Sequence, residues 1–179
     1  LGEKTLELLR IDDIAAVEIV HPWYRAGAET YVTDFLLNSA GVTTHLIAKA
    51  CVKVGPREAM AEWMTRRATL ADSGVNLPLL YAIDGATLIE EFIPYGFGEA
   101  HRQADTPGRA RLEEDFIDTY RRIRAAGFNP ISLHDMRSRG TDAVVIDVGS
   151  DLGPPRPLAT PGIDFGAQAH KELRSIVGT

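Results

Sequence analysis

Residues 143–153, AVVIDVGSDLG, determine how the rest of the chain is interpreted. Their first four residues form an apolar run that is too short for a helix and rich in β-branched side chains, so they predict a buried strand. Asp147 ends this strand and is followed by Val148 and Gly149. A carboxylate at the end of a buried strand, beside a glycine, is suited to hold a metal ion against a ligand. The alternative is that Asp147 only opens a turn, because Asp and Gly are both turn residues.

The composition is that of an ordinary globular protein. The chain has 179 residues, of which 45% are apolar and 25% charged, and this is enough for one domain or two small lobes. The net charge of −6 argues against nucleic acid or an anionic membrane as a partner. The single cysteine, Cys51, excludes an internal disulfide. Because no apolar run approaches the ~20 residues needed to cross a bilayer and no signal-peptide pattern opens the chain, we expect a cytoplasmic protein.

Hydrophobic periodicity predicts a sheet-rich first half and a smaller helical second half. Strands are predicted at 14–20, 31–37, 43–54, 79–83 and 87–93, and helices at 3–9, 57–73, 109–126 and 167–177. The dipeptide Asp84-Gly85 marks a hairpin turn. Residues 21–30 and 95–108 are predicted to be irregular, since Pro, Gly and small or polar residues interrupt the pattern there. This order of elements predicts an α+β fold.

Four features occur in an order that phosphoryl-transfer chemistry requires. Lys49 stands in the middle of a predicted strand, Glu58 opens the following helix, the apolar stretch 87–94 runs into a Pro/Gly break, and Asp147 ends a later strand. Each feature has a simpler explanation by itself: a mid-strand lysine usually faces solvent, and a glutamate in a first helical turn interacts with the macrodipole. Together they provide a lysine for nucleotide phosphates, a glutamate to fix that lysine and an aspartate for Mg²⁺.

The quoted motifs resemble those of the protein-kinase-like superfamily, and more closely those of its aminoglycoside phosphotransferase-like branch. The lysine strand corresponds to LIAKACV (46–52), and the helix with its following segment to PREAMAEWMTRRATLADSGVNLPLLYA (56–82). TLIEEFIP (87–94) resembles the hinge strand, and VVIDVG (144–149) the metal-binding strand, with valine in place of the aromatic residue. The resemblance covers residues 14–153.

The resemblance implies a nucleotide site for ATP. Lys49 would contact the α- and β-phosphates, and Glu58 would pair with it, with Glu62 one turn later as the fallback partner. The backbone of Glu91 and Ile93 would meet the adenine. On this assignment, Lys49→Met is expected to abolish nucleotide binding and to leave the melting temperature nearly unchanged.

The resemblance also implies a Mg²⁺ site at Asp147, with the loop 25–30 lying over the phosphates. Counting back from Asp147 by the family spacing places Asn129 at the base position and His134 at the second metal position. An amide cannot accept a proton as a carboxylate does, and Mg²⁺ prefers oxygen ligands to imidazole. In a second register Asp135 is the base, which requires a shortened loop. His134 is alternatively an ordinary hydrogen-bonded loop residue.

The implied fold is a two-lobed one. Residues 1–94 would form an antiparallel-sheet N-lobe with one main helix, and residues 95–179 a reduced helical C-lobe. The Pro-rich segment 154–161 fits an activation-segment equivalent, a linker or a coil.

Three functions follow from these features. The first is an ATP- and Mg²⁺-dependent phosphotransferase acting on a small molecule or a protein. The second is a pseudokinase, a binding or regulatory module with weak or no nucleotide binding, which the asparagine at position 129 favours. The third is an unrelated α+β domain in which Lys49 and Asp147 are surface charges. Neither the acceptor substrate nor the oligomeric state follows from the sequence.

Overall fold

The structure is a computed structural model, and it describes residues 9, 14–26, 29–130, 136–149, 152–153 and 165–178. These residues form two compact units, the first drawn from 1–64 and 78–92 and the second from 65–77 and 93–179. The predicted helix at 3–9, apart from Leu9, and the Pro-rich segment 154–161 lie outside the described residues. Within the described ranges, no helix has the length and apolar character needed to cross a membrane.

The first unit is built on a five-stranded sheet with the strand order β1-β2-β3-β5-β4. The strands are β1 (Ile14–Ala26), β2 (Thr30–Ser39), β3 (Val42–Cys51), β4 (Leu80–Asp84) and β5 (Thr87–Glu91), and helix α1 (Pro56–Asp72) follows β3. All neighbouring strands are antiparallel. The predicted α+β class is therefore confirmed, and the helix lies between the strands as predicted.

Two tight turns set the register of this sheet. Ala40 and Gly41 have φ values of 48° and 79° and connect β2 to β3, and Gly85, at φ 59°, connects β4 to β5. Left-handed backbone at the turn matches the twist of the flanking strands, and glycine adopts it without steric cost. The Asp84-Gly85 hairpin predicted from the sequence is thus confirmed.

One face of the sheet carries the apolar core of the first unit. Phe35 on β2 is opposite Leu46 on β3, and Ala48 on β3 is opposite Ile89 on β5, and all four residues are buried. Leu9 belongs to the same cluster. Because side chains alternate between the faces of a strand, the residues between these positions point to the opposite face.

Strand β1 extends further than the sequence predicted. Residues 21–30 were expected to form a loop, but β1 continues to Ala26 and pairs there with Thr30. Pro22 fits because β1 is an edge strand of the described sheet, and the pairing register shifts between His21 and Tyr24. An edge strand with a register shift tolerates proline, which lacks the N–H that a central strand needs.

Among its described residues, the second unit combines helices with two short sheets. Its helices are α2 (Phe97–Gln103), α3 (Thr106–Ala125) and α4 (Phe165–Val177). Its strands are β6 (Tyr95–Gly96), β7 (Asn129–Pro130), β8 (Met136–Arg139), β9 (Asp142–Val145) and β10 (Leu152–Gly153). Strands β6, β8 and β9 form one sheet, and β10 pairs with β7.

Helix α3 supplies the central core of the second unit. Asp105 is its N-cap and accepts a hydrogen bond from the Gly108 amide at 2.8 Å, which satisfies one of the free amides of the first turn. Five apolar residues of this helix, which the sequence predicted at 109–126, are buried: Leu112, Phe116, Ile117, Tyr120 and Ile123. Phe97 packs against Phe116 with ring centroids 5.0 Å apart. This contact anchors α2, so the prediction that 95–108 is irregular was wrong.

The segment after helix α1 is bonded to the second unit. Gly74, at φ 75°, ends the helix as predicted, and its carbonyl accepts from Arg122 at 2.7 Å. The carbonyl of Asn76 accepts from the amide of Val145 at 3.0 Å. These bonds explain why residues 65–77 group with 93–179, and the predicted boundary after residue 94 stays a prediction.

Candidate functional site

Lys49 and Glu90 form a buried ion pair on the sheet of the first unit. The Lys49 Nζ lies 2.6 Å from Glu90 Oε1, and the side chains are 14% and 2% exposed. In the β3–β5 pairing Lys49 faces Leu88 and Ile47 faces Glu90, so the two charged residues are diagonal neighbours on one face. A buried carboxylate needs such a partner, because an unpaired charge away from water is costly.

Glu90 is not among the residues that the sequence predicted for this site. Glu58 lies in the first turn of α1 and, like Glu62, is exposed. The Glu90 carboxylate contacts Lys49. The roles of Glu58 and Glu62 stay predictions. The sequence contained a signal for Glu90, which is an acidic residue in phase with Leu88 within the apolar stretch 87–94.

A second polar group, which the sequence did not reveal, joins three strands around Asp34. The Asp34 carboxylate accepts from His21 Nδ1 at Oδ1 and from His45 Nε2 at Oδ2, both at 2.7 Å. The Asp34 side chain is 4% exposed, whereas those of His21 and His45 are 66% and 31% exposed. The His45 ring also stacks on Phe92, with centroids 3.9 Å apart and planes inclined by 21°.

The ion pair and the histidine–aspartate group lie on the same face of the sheet. His45, Ile47 and Lys49 alternate along β3, Asp34 is opposite Ile47, and Glu90 is opposite Ile47 from the other side. Lys49 lies four positions after His45, which is about 13 Å along a strand. One face of the sheet therefore carries polar groups at both ends, while the other face is the apolar core.

Asp147 follows strand β9 in the second unit, two residues after the strand ends. Its Oδ1 accepts a hydrogen bond from the Gly149 amide at 2.7 Å, and the residue is partly buried. The predicted turn geometry at this aspartate is therefore present. It does not exclude a metal role, since a carboxylate has two oxygens and about four lone-pair directions.

Arg66 on helix α1 contacts the backbone beyond Asp147. Its Nη1 donates to the carbonyl of Gly149 and, at 3.0 Å, to that of Leu152. The sequence gave no indication of this contact, because more than eighty positions separate the arginine from its acceptors.

The predicted catalytic loop is described only in part. Asn129 belongs to β7, where its backbone pairs with Gly153. The side chain of Asn129 and residues 131–135, which include His134 and Asp135, lie outside the described residues. Strand β8 begins directly afterwards, at Met136. Both proposed registers of the catalytic loop stay predictions.

The predicted hinge residues are held by backbone hydrogen bonds. The Glu91 amide donates to the Leu79 carbonyl at 2.8 Å, and the Phe92 amide donates to the His45 carbonyl at 3.2 Å. The carbonyl of Ile93 accepts from Arg137 at 2.9 Å, and Ile93 is buried. The contact of Glu91 and Ile93 with adenine stays a prediction.

The loop 25–30, predicted to lie over the phosphates, includes the end of β1 and the start of β2. Its residues 27 and 28 lie outside the described residues.

The donor chemistry at Asp147 fits a magnesium ion bound together with a nucleotide. Among the residues that the structure describes, no group of three or more His, Cys, Asp or Glu side chains is placed to hold a metal ion. Mg²⁺ in nucleotide sites needs only one or two carboxylates, because phosphate oxygens and waters complete its octahedral shell. A partly buried aspartate is a suitable oxygen ligand of this kind.

Comparison with known proteins identifies the fold. Neither protein-family models nor curated proteins match the sequence. Among solved structures, the chain is similar to the Rio2 kinase of Chaetomium thermophilum, crystallised as an ADP/Mg²⁺-phosphoaspartate complex, with a TM-score of 0.52 and 13% identity. The match covers 87% of this chain and 61% of the kinase chain. At this identity the likeness shows the fold alone, and the predicted protein-kinase-like fold is confirmed. The assignment to the aminoglycoside phosphotransferase-like branch stays a prediction.

Proposed function

We propose that this chain is an ATP- and Mg²⁺-dependent phosphotransferase of kinase-like fold that acts on a small molecule or a protein. The observation that carries the proposal is the Lys49 ammonium on strand β3, held at 2.6 Å by the buried carboxylate of Glu90. Kinases bind nucleotide phosphates with a strand lysine that a glutamate of the following helix fixes, and here the carboxylate that holds the lysine comes from strand β5. The ADP and Mg²⁺ in the Rio2 kinase structure support a nucleotide and this metal as the ligands.

In this proposal each residue has a distinct task. Lys49 binds the α- and β-phosphates, and Glu90 fixes the lysine. The backbone of Glu91 and Ile93 meets the adenine. Asp147 holds Mg²⁺, which when bound neutralises negative charge on the phosphates.

The alternative function is that of a pseudokinase, a binding or regulatory module of the same fold. Asn129 favours it, because the spacing of the kinase-like family, counted back from Asp147, places this asparagine at the position of the catalytic base. An amide does not accept the proton of an acceptor hydroxyl, so transfer would be slow or absent. If the chain is a phosphotransferase, Asp135 is therefore required as the base.

The net charge of −6 gives no support for nucleic acid or an anionic membrane as a partner. The cytoplasmic location stays a prediction from the sequence.

Formation of ADP from ATP separates the two functions. We expect the chain with Mg²⁺ to form ADP when supplied with candidate acceptors, and Asp147→Asn to lose this activity. The matched control is Asp142→Asn, which neutralises an exposed carboxylate at the start of the same strand β9. Mg²⁺-dependent ATP binding without ADP formation above the Asp147→Asn background would favour the pseudokinase. Absence of both binding and turnover would contradict the phosphotransferase, and of the two functions only a pseudokinase that does not bind nucleotide would then agree with the result.

A further inference from the structure

A single guanidinium contacts two backbone carbonyls beyond Asp147, those of Gly149 and Leu152. Arg66 Nη1 donates to both of them. The Leu152 amide donates to the Gly149 carbonyl at 3.2 Å, so these two residues are also bonded to each other. Arg66 is partly buried, so water competes less for these bonds than at an exposed arginine.

Gly149 connects Arg66 to the carboxylate of Asp147. Its amide donates to Asp147 Oδ1 at 2.7 Å, and its carbonyl accepts from Arg66 and Leu152. Glycine has the widest choice of backbone conformations, so its orientation depends on such external bonds. The arginine therefore acts on the carboxylate through one residue.

Leu152, the second residue whose carbonyl Arg66 contacts, belongs to a strand pair that contains the predicted base position. Leu152 and Gly153 form β10, which pairs with Pro130 and Asn129 of β7. A guanidinium is suited to holding several carbonyl oxygens, because its donors lie in a rigid planar fork. Arg66 thus contacts both Gly149, which is bonded to Asp147, and Leu152, which lies in the strand that pairs with the strand of Asn129.

We propose that Arg66 is a positioning residue for Asp147, and this inference rests on the proposed Mg²⁺-dependent nucleotide binding. Arg66 fixes the Gly149 peptide, the Gly149 amide fixes the Asp147 carboxylate, and the carboxylate is thereby held ready for the metal. Preorganisation of a ligand residue raises affinity because less ordering remains to be done on binding. Loss of the guanidinium therefore weakens the response to Mg²⁺ and spares the contacts that ATP makes without the metal.

The test compares the intact chain with Arg66→Gln, Arg66→Lys and the control Arg57→Gln, an exposed arginine in the first turn of the same helix. Hydrogen exchange of the Gly149 and Leu152 amides is measured by NMR without nucleotide. ATP affinity is then measured in EDTA and along a Mg²⁺ titration. In Arg66→Gln we expect both amides to exchange at least about tenfold faster and the half-saturating Mg²⁺ concentration to rise about tenfold.

The remaining variants and readouts make the inference specific. We expect ATP affinity in EDTA to be unchanged in Arg66→Gln, Arg66→Lys to restore part of both effects, and Arg57→Gln to match the intact chain. Unchanged amide exchange in Arg66→Gln would show that Arg66 does not fix the Gly149 peptide, and this overturns the inference. Faster exchange with an unchanged Mg²⁺ response means that Arg66 is only structural, and this also overturns the inference. If the intact chain shows no Mg²⁺-dependent ATP binding, the proposed function fails and the positioning role fails with it. The amide exchange rates then still show whether Arg66 fixes the Gly149 peptide.

Discussion

Replacing Lys49 by methionine is expected to lower the free energy of unfolding by about 3–5 kcal/mol. The substitution leaves the Glu90 carboxylate, which is almost completely buried, without the ammonium 2.6 Å away. Removing one partner of a buried pair is strongly destabilising because the other charge stays buried. This revises the sequence-based expectation that Lys49→Met leaves the melting temperature nearly unchanged. Urea unfolding of the intact chain and the variant measures the difference.

A double-mutant cycle shows whether Glu90 is the cause. The double variant Lys49→Met/Glu90→Gln is expected to be more stable than Lys49→Met alone, because it removes the buried charge as well. The control Lys53→Met breaks the more exposed ion pair of Lys53 with Glu29, and a change of about 0.5 kcal/mol or less is expected. The single variant Glu90→Gln completes the cycle. If the stability losses of Lys49→Met and Glu90→Gln add up to that of the double variant within about 0.5 kcal/mol, the ion pair does not exist in solution.

Replacing Asp34 by alanine is expected to cost about 2 kcal/mol of stability. The substitution removes the acceptor of two imidazole hydrogen bonds, and hydrogen bonds to a charged group are each worth about 1.5–3 kcal/mol when shielded from water. The bond to the exposed His21 counts for little because solvent screens it, so the partly buried His45 carries most of the loss. Thermal and urea unfolding measure the effect.

Two further variants identify the source of the Asp34 effect. Asp34→Asn is expected to lose less than Asp34→Ala, because its amide oxygen still accepts one hydrogen bond. Glu18→Ala, which removes an exposed carboxylate from β1 of the same sheet, is expected to change little. If Asp34→Ala proves as stable as the intact chain, the desolvation of the carboxylate offsets its two hydrogen bonds and the group is not a stabilising element.

The parts of the fold that depend on local pattern could be predicted from the sequence. The alternating stretch around Lys49, the Asp84-Gly85 turn and the apolar run before Asp147 each specify their element within a few residues. The buried stripe of α3, which includes Phe116, follows from helical spacing in the same way. Failures arose where tertiary contacts overrule local pattern, as in α2, where Phe97 packs on Phe116 despite the neighbouring glycines.

The pairwise contacts of the candidate site could not be predicted from the sequence, because they depend on the register of the strands across the sheet. Nothing in the sequence places Glu90 beside Lys49 until the pairing of β3 with β5 is known. The group around Asp34 likewise requires the registers of β1 with β2 and of β2 with β3. The contact from Arg66 to Gly149 has no periodic signal at all.

The central claim is that the chain has a working Mg²⁺-dependent nucleotide site, and a thermal-shift titration tests it most directly. ATP is titrated with and without Mg²⁺ on the intact chain and on Asp147→Ala. A ligand that binds only the folded state stabilises it by mass action, by about 2.7 kcal/mol at a hundred times its Kd. We predict a melting temperature that rises with ATP and Mg²⁺ together and a smaller or absent rise in Asp147→Ala. No shift of the intact chain at millimolar ATP with Mg²⁺ would contradict the claim.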